Sequence, residues 1–339
     1  MANIILNLII MVASLTGLVK FSEWMIDGAV AVAKKYGISP LILGATVVAM
    51  GTSLAELAVN MVEIFSGHGT EAILGNVLGS NFVNIGLGLG IASIIATITA
   101  HFVVIEKEIP IYFAVTALLT SFAGDGVLTR MEGIALVLSF IIINYLIYQY
   151  SIREKSPKEK SETKKANKEF SHEEHIEHEI PFKKALMYLI LGLFGLVISA
   201  RILVSSASII ALSLGISKYI IGLTIVGVGT SFPEIMASVQ AARKGYTDIV
   251  LGNVFGSNIF NICFGLGVPM LIKNVEVKAA ALNDLYFMNI VGILIMFLLL
   301  IEAKIVGKNK SFDKFGGVVI VLVYLGYILF KILSFYKII

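Results

Sequence analysis

Long apolar blocks, separated by short charged or glycine-bearing turns, set the pattern of this chain. They predict ten spans, at 3–32, 40–64, 72–98, 106–123, 131–150, 182–213, 218–242, 248–271, 280–303 and 315–336. A helix crosses the hydrocarbon of a bilayer with roughly 20 apolar residues. Backbone facing lipid must satisfy its own hydrogen bonds, so each run is expected to be a helix. One stretch breaks the pattern: residues 151–181, SIREKSPKEKSETKKANKEFSHEEHIEHEIP, are hydrophilic and highly charged. Such a composition cannot bury enough apolar surface to pack, and a solvated linker is expected there.

Ten spans divide into five before the linker and five after it. An odd number per half starts the second half on the opposite side of the membrane from the first. The expected fold class is therefore an all-α polytopic membrane protein, with two inverted five-helix repeats at residues 1–150 and 182–339, joined by the 151–181 linker.

Composition agrees. Of 339 residues, 57% are hydrophobic and 14% charged, against about 25% charged in soluble domains. The one cysteine, Cys263, excludes an intrachain disulfide framework and a four-cysteine metal site. The N-terminus lacks a basic segment and runs directly into apolar sequence, so it reads as the first span rather than a cleaved signal peptide. Placing the linker inside puts eighteen Lys and Arg on that face and six on the other. The positive-inside bias then predicts a cytoplasmic linker and both termini outside.

Two copies of one polar sentence interrupt the apolar text. The first is GTSLAELA (Gly51 to Ala58) followed by GNVLGSNFVNIGLGLG (Gly75 to Gly90), and the second is GTSFPEIM (Gly229 to Met236) followed by GNVFGSNIFNICFGLG (Gly252 to Gly267). Glu56 and Glu234 are 178 residues apart, and Asn84 and Asn261 are 177 apart. Each carboxylate falls about two-thirds of the way along its span, and entry from opposite faces brings both near mid-depth. A charge there costs about 2.5–3.5 kcal/mol on insertion scales, which makes it a functional residue by default. Pro233 removes a helix hydrogen bond and predicts a break in the second copy. The first copy has Ala55 at that position, so its break is expected to depend on Gly51 and neighbouring polar groups.

The donor set is oxygen. Thr52, Ser53 and Glu56 lie within five residues, and Thr230, Ser231 and Glu234 repeat them. Ser80 and Asn84 are four apart and share a helix face, as do Ser257 and Asn261. Carboxylates, hydroxyls and amides suit hard cations such as Na⁺ and Ca²⁺. No His or Cys joins the set, which argues against zinc or copper. Two ionised carboxylates balance one Ca²⁺, and their repulsion in an empty site favours its refilling by Na⁺ or a proton. That competition yields antiport without covalent chemistry. A passive cation channel is the alternative of a different class; an enzyme is not expected, since no nucleophile–base pair occurs in the spans.

The paired GTSxPE and GNxxGSNxxN motifs resemble the alpha repeats of the sodium/calcium exchangers of the cation/calcium antiporter superfamily, prokaryotic type. The likeness covers residues 39–91 and 217–268, and the span count extends it over nearly the whole chain. It implies a 5+5 inverted fold, ion sites at mid-membrane, and sliding of the first and sixth helices during alternating access. It further implies Glu56 and Glu234 as central carboxylates, with Thr52, Ser53, Ser80, Asn84, Thr230, Ser231, Ser257 and Asn261 as the other ligands. Ala55 departs from the family's usual proline. Asn261 stands where some relatives carry Asp and resembles the potassium-independent branch. The GTSxxE sequence differs from the GNAxE of proton/calcium relatives, so Na⁺ is the expected counter-ion and H⁺ the alternative. Other divalent cations stay open as substrates. The expected partners are these ions and the lipid bilayer, in the plasma membrane of a prokaryote. No cofactor and no nucleic acid is expected, and a monomer holds both halves of the site.

Three further features are legible. Glu23 and Asp27 read as interfacial anchors near a helix end beside Trp24, or as part of an ion path. Arg201 either snorkels or pairs across helices. The run HEEHIEHE (His172 to Glu179) misses the HExxH spacing and reads as a solvated loop.

Overall fold

The computed structural model describes residues 2–36, 40–66, 70–99, 108–152, 180–215, 227–305 and 311–335. Its helices are α1 (Ala2–Tyr36), α2 (40–66), α3 (71–95), α4 (Ile109–Phe122), α5 (Arg130–Ile152), α6 (Phe182–Ser213), α7 (Phe232–Arg243), α8 (247–272), α9 (Ala279–Ile305) and α10 (Lys314–Phe335). Among the described residues, seven stretches are long and apolar enough to cross a membrane, in α1, α2, α3, α5, α6, α8 and α10. Two shorter apolar helices, Ile109–Asp125 and Ala279–Ile295, fall where the fourth and ninth spans are expected. The expected span 218–242 lies partly outside the described residues, as do most of the 151–181 linker and all of the HEEHIEHE run.

Burial sorts these helices into a centre and a shell. In α8, 94% of the spanning window is buried, and in α3 72%, against 17% in α1, α5 and α10. The two central helices are the ones that carry the GNxxGSNxxN motifs. The shell turns large apolar side chains outward, such as Ile9 and Val12 on α1, Phe194 on α6, and Leu322 and Phe330 on α10. An exterior of that kind is solvated by lipid rather than water.

Helices α1 and α6 run alongside one another as the most extensive packed pair in the fold. With 35 and 32 residues, they are about 50 Å long at 1.5 Å per residue. Their backbones touch. A Cβ on Gly192 would lie 2.7 Å from Met25 Cα and 2.8 Å from Phe21 O, and one on Gly28 would collide with the Leu189 and Ala185 backbone. Small residues of this sort allow close approach between helices that lipid cannot drive together. Trp24 stacks on Tyr188 across the same interface, at 5.4 Å between centroids.

Both central helices are distorted at the same motif position. Asn84–Leu89 in α3 and Asn261–Leu266 in α8 are π-helical, each starting at the last Asn of its GNxxGSNxxN motif. Wide turns of this kind recur at functional sites because they shift side chains out of α register. A third π turn, Gly44–Val48, precedes the GTS motif of α2.

The two GTS copies differ, and one expectation is corrected. In the second copy a short turn at Gly227–Gly229 ends at Thr230 and Ser231, and α7 starts afresh at Phe232 with Pro233 in its first turn. In the first copy the helix runs unbroken from Ala49 to Ser66, so Gly51 makes no break. Ala55 keeps the backbone N–H that Pro233 lacks, so the ladder continues. Gly51 instead makes room for Leu193 of α6, which a Cβ would meet at 3.1 Å.

Four two-residue strands form two antiparallel pairs. Ile98 and Thr99 after α3 pair with Phe312 and Ser311 before α10, and Val127 and Leu128 before α5 pair with Glu276 and Val275 after α8. Each pair joins the stretch before the linker to the stretch after it.

Candidate cation-binding site

The GTS helices meet the distorted helices at the centre of the bundle. Helix α2 packs on α8 and its π turn, and α7 packs on α8 and on the π turn of α3. Of the ten residues singled out in the sequence, all but the half-buried Thr230 are buried.

The two carboxylates face each other's motifs. Ser53 Oγ donates to Glu234 Oε1 at 3.0 Å, a bond between residues 181 apart in sequence. Thr52 also lies against Glu234. Glu56, one helical turn from Ser53, lies against Ser231 and within the field of Glu234. Its own two oxygens accept no hydrogen bond. Among the described residues no Lys or Arg forms an ion pair with either acid.

The amides interlock in the same exchanged fashion. Asn84 Nδ2 donates to Asn258 Oδ1 at 3.0 Å, and Asn261 Nδ2 to Asn81 Oδ1 at 3.5 Å. Asn81 and Asn258 also exchange side-chain-to-backbone bonds. Further out, Asn253 Nδ2 bonds Ser238 Oγ at 2.8 Å and the Glu234 backbone carbonyl at 3.0 Å. Asn76 Nδ2 bonds Asn60 Oδ1 at 2.8 Å, and Asn60 Nδ2 bonds Gly265 O at 2.9 Å. Sequence reasoning passed over Asn60, Asn76, Asn81, Asn253 and Asn258. Four of them stand in the GNxxGSN portions already quoted, and a search for paired amides at the 177-residue offset would have found them.

A set of buried oxygens is left without any hydrogen-bond partner among the described residues. It comprises both oxygens of Glu56, Ser80 Oγ, Asn84 Oδ1, Thr230 Oγ1, Ser231 Oγ, Glu234 Oε2 and Asn261 Oδ1. Buried polar atoms without partners cost about 1–3 kcal/mol each. Thr52 and Ser257 are the exceptions. Thr52 donates to the carbonyls of Val48 and Ala49 in its own helix, and Ser257 to Ala49 O at 3.4 Å. Among the described residues no three His, Cys, Asp or Glu side chains converge, so the centre is built of two acids and neutral oxygen donors.

The peripheral acids are paired. Glu23 bonds Lys20 at 2.9 Å, and Asp27 bonds Lys244, just beyond α7. Both acids of α1 are thus tied to nearby bases, well inside a helix that runs on to Tyr36.

Comparison with known proteins bears on this geometry. The family model described as "Sodium/calcium exchanger protein" matches residues 6–149 and again 184–333. The chain is 32% identical over 355 aligned positions to the sodium/calcium exchanger MaX1 of Methanosarcina acetivorans, covering 96% of this chain and 98% of that one. It is 30% identical to the inner membrane protein YrbG of Escherichia coli, covering 92% and 94%. It superposes on a solved structure of the sodium–calcium exchanger NCX_Mj with a TM-score of 0.78 at 28% identity, covering 96% and 98%. A membrane-embedded bundle that crosses two copies of one oxygen-rich motif, with this likeness along nearly its full length, belongs to the sodium/calcium exchanger family.

Proposed function

We propose that this protein is a secondary antiporter that exchanges Na⁺ for Ca²⁺ by alternating access. Glu56 and Glu234 carry the charge that holds Ca²⁺. Thr52, Ser53, Ser80, Asn84, Thr230, Ser231, Ser257 and Asn261 supply neutral oxygens. The observation that carries this reading is the cluster of buried, unpartnered oxygens around two carboxylates with which no Lys or Arg among the described residues forms an ion pair. A hard cation supplies what those atoms lack, since Ca²⁺ takes six to eight oxygens at about 2.3–2.6 Å. Relatives point the same way: MaX1 is named a sodium/calcium exchanger, and NCX_Mj was soaked with Na⁺, Ca²⁺ and Sr²⁺.

The architecture proposed with it is two inverted five-helix repeats, 1–150 and 182–339, with a cytoplasmic linker at 151–181 and residence in the plasma membrane. The exchanged amide bonds and the double family match support it. Two carboxylates without a cation repel one another, so the empty site reorients unfavourably and transport in one direction requires a load for the return. The test is ⁴⁵Ca²⁺ uptake into Na⁺-loaded proteoliposomes when external Na⁺ is removed. Uptake is expected in the parent protein and is lost in Glu56→Gln and Glu234→Gln. Uptake driven equally by a pH gradient without Na⁺ overturns the counter-ion, and single-channel currents overturn the antiporter.

A further inference from the structure

The four central asparagines fall into two kinds. Asn81 and Asn258 are engaged at both ends of the side-chain amide. Nδ2 of each donates to the other's backbone carbonyl, and Oδ1 of each accepts from Asn261 or Asn84 respectively. Asn84 and Asn261 are engaged at one end only. Asn84 Nδ2 is held by Asn258 Oδ1 at 3.0 Å and Asn261 Nδ2 by Asn81 Oδ1 at 3.5 Å, while both of their Oδ1 atoms are buried without a partner among the described residues. An amide carries its donor and its acceptor on opposite prongs of one plane, so fixing the nitrogen fixes where the oxygen points. The free oxygens stand on the π turns that pack against the acid-bearing helices: α2, with Glu56, packs on Asn261–Leu266, and α7, with Glu234, packs on Asn84–Leu89. One turn beyond each pair these elements meet. Asn60 Nδ2 bonds Gly265 O at 2.9 Å, and a Cβ on Gly88 would lie 3.9 Å from Ser238 Oγ.

We propose that Asn81 and Asn258 are positioning residues for the cation site: each pins the last asparagine of the opposite motif copy so that a carbonyl oxygen, and not an NH₂ group, is offered to the ion. The inference rests on the reading of the site above as one that binds Ca²⁺. Neither Asn81 nor Asn258 has an unpartnered polar atom, so neither acts as a ligand itself. A carbonyl oxygen suits a hard cation, whereas an amide NH₂ is a donor and repels it. The terminal amide torsion has two broad orientations half a turn apart, and an unpinned side chain populates both. Apparent affinity then falls with the fraction of molecules that hold the oxygen inward. Because the pins cross between the copies, neither motif orients its own last asparagine: Asn84 takes its direction from Asn258, and Asn261 from Asn81.

The experiment measures equilibrium ⁴⁵Ca²⁺ binding to the purified full-length protein, and its displacement by Na⁺, in two backgrounds. Asn258→Ala and Asn258→Leu are made in the parent and again in Asn84→Asp. Aspartate has two equivalent oxygens and no NH₂ group, so it has no wrong orientation for a pin to prevent. In the parent background, loss of the pin is expected to raise the half-saturating Ca²⁺ concentration about fivefold, the worth of one neutral hydrogen bond. In the Asn84→Asp background the same loss is expected to leave it unchanged or to lower it, since Asn258 Oδ1 no longer opposes a carboxylate. Asn81→Ala, with and without Asn261→Asp, is expected to repeat the pattern with a smaller factor, because its bond is the longer one at 3.5 Å. Two replacements of different volume guard against one that does not fold, and binding is read below the unfolding midpoint of each variant. A similar loss in both backgrounds, or no loss in the parent background, overturns the positioning role and leaves the exchange reading intact. A parent whose bound Ca²⁺ is not displaced by Na⁺ overturns the exchange reading and leaves the positioning role standing, and a parent that binds no Ca²⁺ overturns both.

Discussion

Asn81 and Asn258 hold each other by reciprocal bonds: the side-chain amide of each donates to the backbone carbonyl of the other, both at 3.4 Å. The residues are 177 apart, on the two most buried of the spanning helices, and each also accepts from the last Asn of the opposite motif, Asn261 or Asn84 respectively. Removing one side chain leaves a buried carbonyl and an amide unpaired, at about 1–3 kcal/mol. Asn81→Ala and Asn258→Ala are each expected to lower the thermal unfolding midpoint in detergent. The double variant is expected to lose less than the sum, because the pair shares one network. Strict additivity would show that the two amides act separately.

Ser53 and Thr52 are adjacent in sequence yet differ in what they hold. Ser53 donates to the Glu234 carboxylate, whereas Thr52 spends its proton on carbonyls of its own helix. Hydrogen bonds to a charged group are worth about 1.5–3 kcal/mol. Ser53→Ala is therefore expected to weaken Ca²⁺ binding by about tenfold or more, and Thr52→Val by clearly less. Equilibrium ⁴⁵Ca²⁺ binding checks the order, and equal losses would contradict it.

Pro233 sits in the first turn of α7, directly after the break at Thr230 and Ser231, while Ala55 lies inside an unbroken helix. Ala55→Pro removes a ladder bond from α2 and adds a steric clash, at about 3 kcal/mol. It is expected to depress stability sharply. Pro233→Ala breaks no existing bond, and its expected effect falls on flux, through a stiffened turn at Thr230, with little change in unfolding temperature. Comparing ⁴⁵Ca²⁺ uptake with thermal unfolding for the two variants separates these outcomes.

Gly192 marks where α6 meets the α1 backbone, with Met25 Cα 2.7 Å and Phe21 O 2.8 Å from the position of a Cβ. Even Gly192→Ala must push the two helices apart. Its unfolding temperature is expected to fall, and Gly192→Val to fall further and to slow exchange. Unchanged flux in a destabilised Gly192→Ala variant would show that the closeness of these helices serves packing alone.

Much of the candidate site was legible before any coordinates. Glu56 and Glu234 stood out because an acid in apolar sequence is costly and because both recur at one offset. Their flanking hydroxyls followed from helix spacing. Less legible were Asn81 and Asn258, which look like ordinary polar positions until the helices cross and each is seen to fill the other's unmet bond. The site of backbone irregularity was misplaced in the first copy, since glycine permits a break without forcing one, and only proline removes a donor.

Residue order alone settled the membrane character of the chain and the duplication of an oxygen-rich motif, because hydropathy and repetition are properties of neighbours along the backbone. It could not settle that the Ser53 hydroxyl lands on Glu234, that α3 and α8 widen into π turns at Asn84 and Asn261, or that Arg201 shares a cavity with Thr230. Those depend on the angle and depth at which distant helices cross, which the summed packing of the whole bundle sets and no local stretch encodes.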